Sequence, residues 1–141
     1  MTRPTPSKPE PRPTPETRPF WDGCAAGELR LPRCRACTRH HFYPRPICPH
    51  CGSTDLEWVV SDGTATLYSY VISHRPAPGF ADETPYVIAV VELPEGVRMM
   101  TNLVNVDANP EKLPLDLPLR VVFEQRGEVQ LPLFEPADVL R

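Results

Sequence analysis

The sequence predicts a mainly β protein made of a short N-terminal helix, a four-cysteine metal ribbon and a small closed barrel. Three observations predict it. Cys34, Cys37, Cys48 and Cys51 are spaced C-x2-C-x10-C-x2-C. From Leu56 onward apolar and polar residues alternate with the period of two that a half-buried strand needs. Ahead of the cysteines, a single short stretch carries helical spacing.

The chain's 141 residues make one domain or two small ones. The longest apolar run, Val87–Val91, is far short of the ~18 residues that cross a bilayer. The first residues carry prolines and charges where a secretory signal has an apolar core. A membrane protein and an exported disulfide scaffold are therefore disfavoured, and a cytoplasmic location is expected. Net charge is −3, unevenly spread. Residues 58–141 hold six basic and twelve acidic side chains, the wrong sign for a surface that tracks a phosphate backbone.

Residues 1–18 contain six of the chain's 20 prolines and no large apolar residue beyond Met1. Such a segment buries too little to offset its ordering entropy, so a disordered tail or linker is expected there. Residues 19–31 read as an amphipathic helix, with Phe20, Trp21, Cys24, Ala25 and Leu29 on one face. Gly23 and Gly27 each weaken it by about 1 kcal/mol. It needs a surface to lie on. Residues 32–57 form the ribbon, its ten-residue gap folding as a hairpin with Phe42 and Tyr43 over the metal.

The barrel follows over residues 58–141. Leu56–Ser61 and Thr64–Ser73 flank Asp62-Gly63, a two-residue hairpin signal. Residues 74–84 form a long loop holding two prolines. Tyr86–Leu93 is nearly all apolar and calls for cover on both faces. Turns at Pro94–Gly96 and Arg126–Glu128, with a proline-punctuated connection between them, delimit Val97–Val104, Leu119–Gln125 and Val129–Phe134. Five or six short antiparallel strands close most economically as a barrel, because closure removes exposed edges.

The cysteines carry the chemistry. Each two-residue gap lets one turn aim two sulfurs at a single ion, and two such turns complete the tetrahedral shell of Zn²⁺. Iron takes the same ligands, so spacing leaves it open. With four protein ligands no position remains for water, and the metal is structural. Cys24 reads as a buried small hydrophobe, and His40, His41 and His50 as surface residues of the ribbon. No nucleophile, base or phosphate loop can be named. His74-Arg75 is the one polar pair with a claim to binding. Of Met99 and Met100, adjacent on a strand, one faces the core and the other faces out.

Phe20-Trp21, then Gly27-Glu28-Leu29-Arg30-Leu31-Pro32-Arg33 running into Cys34, and Tyr43-Pro44-Arg45 ahead of Cys48 resemble the DUF35 proteins. The likeness continues through Gly63-Thr64, Tyr68-Ser69-Tyr70, Pro78-Gly79-Phe80, Pro85–Ala89 and Thr101–Val104, and covers about residues 19–136. It implies a rubredoxin-like zinc ribbon and a five-stranded OB-fold barrel. It also implies a non-catalytic subunit, or excised domain, that forms a hetero-oligomer with a thiolase-like aldolase or thiolase, or with a hot-dog-fold hydratase. In such pairs the subunit helps form an acyl-CoA site, and some serve steroid side-chain degradation. On that reading Phe20, Trp21, His74, Arg75 and Phe80 face the partner or its acyl-CoA. A nucleic-acid-binding ribbon–OB module is the alternative, and the acidic barrel argues against it.

Overall fold

The computed structural model describes residues 8–137. The start of the expected tail (1–7) and the end of the expected barrel region (138–141) lie outside the described residues. In chain order the elements are α1 (Arg18–Ala25), β1 (Leu29–Cys34), β2 (Leu56–Ser61), β3 (Thr64–Ser73), β4 (Tyr86–Glu92), β5 (Arg98–Leu103), β6 (Pro118–Arg126) and β7 (Val129–Pro136). Strands β1 and β2 form a two-stranded sheet, and the other five close a barrel in the order β3-β4-β5-β7-β6. Among the described residues, no helix is long and apolar enough to cross a membrane.

The helix is shorter than its spacing suggests. It ends at Ala25, and Leu29 and Leu31 belong to a strand. The cause is Gly27, whose φ of 77° lets the chain reverse. Glu28 N–H then donates to Gly23 O (2.7 Å) and Gly27 N–H to Cys24 O (3.0 Å), the paired bonds of a Schellman ending. Phe20, Trp21 and Cys24 are buried, and the helix rests on β1 and β7 of its own chain.

Two further strand expectations need correction. Asp62-Gly63 does not close a hairpin: β2 pairs antiparallel with β1, from Leu29↔Ser61 to Cys34↔Leu56, while β3 pairs with β4 and β6. The two residues form a corner where the chain leaves one sheet for the other. Strand β4 alternates, with Val87, Ala89 and Val91 inside and Tyr86, Ile88 and Val90 half-buried. Its outer face is therefore only partly covered.

The barrel interior is filled by Ala65, Leu67, Val87, Ala89, Val91, Met99, Leu103, Leu119 and Phe134. The same cluster runs on without a break into Phe20, Trp21, Cys24, Leu29 and Leu31. Helix, ribbon strand and barrel thus share one core. Closure is weakest between β5 and β7, which run parallel and pair only at Leu103↔Phe134. Pro132 explains the weakness. Its carbonyl accepts from Thr101 Oγ1 at 3.1 Å, so its amide side faces β5 too, and a proline has no N–H to give.

Of the segment expected to be a disordered tail or linker, residues 8–18 are described. Residues 8–17 lie on the body of the protein, and Thr17, only 4% exposed, leads directly into α1.

Candidate metal centre and apolar groove

The two cysteine turns are built alike. Cys34 N–H donates to Arg39 O (2.9 Å) and Cys48 N–H to Ser53 O (2.8 Å). Thr38 N–H donates to Cys34 O (2.8 Å) and Gly52 N–H to Cys48 O (2.9 Å). Each turn ends on a left-handed residue, Thr38 at φ 65° and Gly52 at φ 81°. The ten-residue gap does not make the expected hairpin: a single bridge, Arg33↔His40, links it to β1.

All four Sγ atoms lie within 4.8 Å of one another, and among the described residues this is the one group of three or more metal-ligating side chains. Cys34 Sγ is 3.6 Å from Cys51 Sγ, and Cys37 Sγ is 3.7 Å from Cys48 Sγ. A tetrahedron with Zn–S bonds of about 2.3 Å has edges of about 3.8 Å, so the donor set fits a closed four-sulfur shell. Backbone N–H groups aim at the sulfurs, Cys37 N–H at Cys34 Sγ (3.5 Å) and His50 N–H at Cys48 Sγ (3.4 Å). The Cys37 amide is the main cause that holds Cys34 down to about pKa 7, against the opposing effect of its burial. Cys51, despite the Ser53 amide, is pushed up to about 12 by its bonds to the other three sulfurs, so the four thiols hold their protons jointly until an ion displaces them. Such an ion ties Cys34 at the end of β1 to Cys51 ahead of β2, which is a structural task.

His41 departs from its expected surface position. It is 3% exposed and neither ring nitrogen has a hydrogen-bond partner of good geometry. Burial, first, and the neighbouring His50, Arg45 and His40 hold it below the usual histidine range, against the Arg45 carbonyl. Phe42 and Tyr43 pack on the helix, their ring centroids 5.5 and 6.2 Å from that of Phe20. Cys24 is buried as expected, and desolvation pushes its thiol up to about 12.

A groove of about 500 Å³ opens along the loose β5–β7 seam. Phe20, Trp21 and Phe80 all line it. His74 and Arg75 do not; both are exposed on the loop outside it. Phe20 (1% exposed) and Trp21 (9%) are fixed in the core and contribute a wall, not a free anchor. Met99 is buried and Met100 is 74% exposed in the groove, the division that strand alternation requires. Tyr86 and Ile88 on the half-buried face of β4 and Leu131 and Leu133 on β7 complete the apolar lining. Sequence reasoning missed these four, although the apolar excess of β4 was a signal for Tyr86 and Ile88.

Residues 21–57 match the ChsH2 rubredoxin-like zinc ribbon domain and residues 58–124 the ChsH2 C-terminal OB-fold domain. A probable enoyl-CoA hydratase alpha subunit of Thermomonospora curvata is 42% identical over 84% of this chain. The 3-oxo-4,17-pregnadiene-20-carboxyl-CoA hydratase alpha subunit of Mycobacterium tuberculosis is 36% identical over 96% of it. The chain spans only 37% and 40% of the length of those two proteins. A DUF35 domain-containing scaffold protein of Methanocaldococcus jannaschii is 34% identical over 68% of this chain and 67% of its own. A solved structure described as the Ltp2–ChsH2(DUF35) aldolase superposes with a TM-score of 0.79 at 37% identity, over 90% of this chain and 98% of that one. A four-sulfur ribbon, a five-stranded barrel and these likenesses agree, and the chain belongs to the DUF35 family.

Proposed function

We propose that this chain is a non-catalytic zinc-ribbon/OB-fold subunit, or a domain of a longer protein, that binds a thiolase-like aldolase in the cytoplasm and helps form its acyl-CoA site. The observation that carries the reading is the groove: an apolar surface with Met100 exposed in it, on a fold whose 37%-identical neighbour is described as the Ltp2–ChsH2(DUF35) aldolase. Zn²⁺ is the structural ion, held by Cys34, Cys37, Cys48 and Cys51. Phe80 belongs to the contact surface, and His74 and Arg75 to its loop-side rim. The steroid-acyl name of the M. tuberculosis relative supports a steroid side-chain thioester as the substrate class of the complex.

One observation favours a second reading. The two hydratase alpha subunits share a third or more of their aligned residues with this chain yet are more than twice its length. On that basis the chain is the ribbon–barrel part of a hot-dog-fold hydratase assembly. A nucleic-acid module is the weaker alternative, since the barrel is acidic. Purification from the native cell, with the partner identified by mass spectrometry, separates aldolase from hydratase. Met100→Glu and Phe80→Ala should then weaken capture of that partner while the bound zinc is retained. Full capture by both variants would place the interface elsewhere.

A further inference from the structure

The proline-rich segment ahead of the helix is held at three points, one within its own turn into α1 and two on the barrel. Near α1, Thr14 N–H donates to Thr17 Oγ1 (2.9 Å), and Arg18 N–H to Thr14 O (2.8 Å). At the β6–β7 turn, Glu10 Oε1 accepts from the Glu128 N–H at 2.9 Å. The Glu10 carboxylate occupies the space a Cβ would fill at Gly127, so the turn is shaped to admit it. At the third point Lys8 forms an ion pair with Glu83 and sits 4.5 Å from the centroid of the Phe80 ring.

The third contact falls on the groove. Phe80 belongs to the 74–84 loop and lines the groove's wall. Its ring stacks on Tyr86 (centroids 4.9 Å apart) and is also approached by the Arg126 guanidinium at 5.9 Å. Lys8 touches both the wall residue and Glu83 in the single 3₁₀ turn (Ala81–Glu83) that follows it. We propose that residues 8–17 are a strap that holds the 74–84 loop against the barrel and so limits how far the groove opens. Prolines suit the task, since a stiff segment loses little freedom when it docks. The proposal rests on the groove being a binding site. A ligand or partner segment entering there works against the strap, and anything that draws residues 8–17 away favours entry.

The test uses the whole chain with its metal. Lys8→Glu faces Glu83 with a like charge, and Lys8→Glu with Glu83→Lys restores an opposite pair. Amide hydrogen exchange at residues 77–84 reports the loop independently of any ligand. The neutral apolar fluorophore Nile red reports the groove, with Met100→Glu locating its signal. Lys8→Glu should speed exchange in the loop by roughly three- to tenfold, the effect of losing an ion pair and a cation–π contact, and raise Nile red affinity by a similar factor. The reciprocal variant should reverse most of both. Unchanged loop exchange in Lys8→Glu overturns the strap. Faster exchange with unchanged affinity, where Met100→Glu abolishes the signal, overturns its control of access. A Nile red signal indifferent to Met100→Glu means that the groove reading has failed, and loop exchange alone then decides the strap.

Discussion

Exchanging the residues that end the two cysteine turns should move metal affinity in opposite directions. The turns share their hydrogen bonds but end on Thr38 (φ 65°) in one and Gly52 (φ 81°) in the other. A left-handed conformation costs a β-branched residue about 1–2 kcal/mol. Thr38→Gly relieves that cost, loses the bond from Thr38 Oγ1 to Cys37 O (2.6 Å), and gives back roughly 0.5–1 kcal/mol through the freer unfolded chain. That bond is exposed and water replaces it, so it subtracts little, and the net gain is about 0.5–1 kcal/mol. Gly52→Thr should lose a similar amount or slightly more, and backbone conformation alone sets the loss, because a Cβ there meets nothing within 4 Å. Metal binding and ribbon folding are one free energy in a unit this small. The change should therefore appear as a two- to fivefold shift in the zinc dissociation constant, by the rule that about 1.4 kcal/mol is tenfold. Competition against a chromophoric chelator at fixed pH measures it. Weaker zinc binding by Thr38→Gly, or parent-like binding by Gly52→Thr, would refute the reasoning.

Phe20→Ala should cost about 3–5 kcal/mol in thermal or denaturant unfolding, since it empties a site against Trp21, Phe42 and Tyr43 at the centre of the shared core. In the zinc-loaded protein no cysteine should react with an alkylating reagent at mildly alkaline pH, four being metal-bound and Cys24 buried with its thiol pushed up to about 12; rapid labelling of Cys24 would contradict this. Glu135 is held below the usual carboxylate range by Asn105 first and by Arg120, despite partial burial. Its contribution to stability is complete above the ordinary glutamate value and is lost as pH falls through its own lower value. Glu135→Gln should accordingly be less stable than the parent at neutral pH, with the gap closing in acid.

How much of this was legible in the sequence depends on how local each determinant is. The cysteine cluster was readable because each turn is set by four or five consecutive residues. The barrel strands were readable because burial on one face imposes a period of two. The end of the helix was misread although its signal is local: Leu29 and Leu31 alternate with Arg30, and Gly27 serves as a terminator rather than a weak helical residue. The partner of β2 was misread because Asp62-Gly63 specifies a change of direction, and only the distant Leu29–Cys34 segment decides what β2 pairs with. The groove required knowing that Pro132 lies opposite Thr101 across a seam. Docking of residues 8–17 had no local signal at all, because it depends on Phe80, Glu83 and Glu128, each far along the chain.

The shared core has a consequence for anyone who cuts this protein into pieces. The ribbon and barrel families meet between residues 57 and 58, which is the middle of β2. The OB-fold match ends at residue 124, before β7, the strand that closes the barrel. A fragment ended at residue 57 would carry all four metal ligands but only the first two residues of the strand that pairs with β1. A fragment spanning 58–124 would be an open four-stranded sheet stripped of Phe134, Phe20 and Leu31, with apolar edges free to pair with other chains. The two segments matched to separate families are therefore not units of folding here, and the smallest piece that keeps the core intact runs from the residues before α1 to the end of β7.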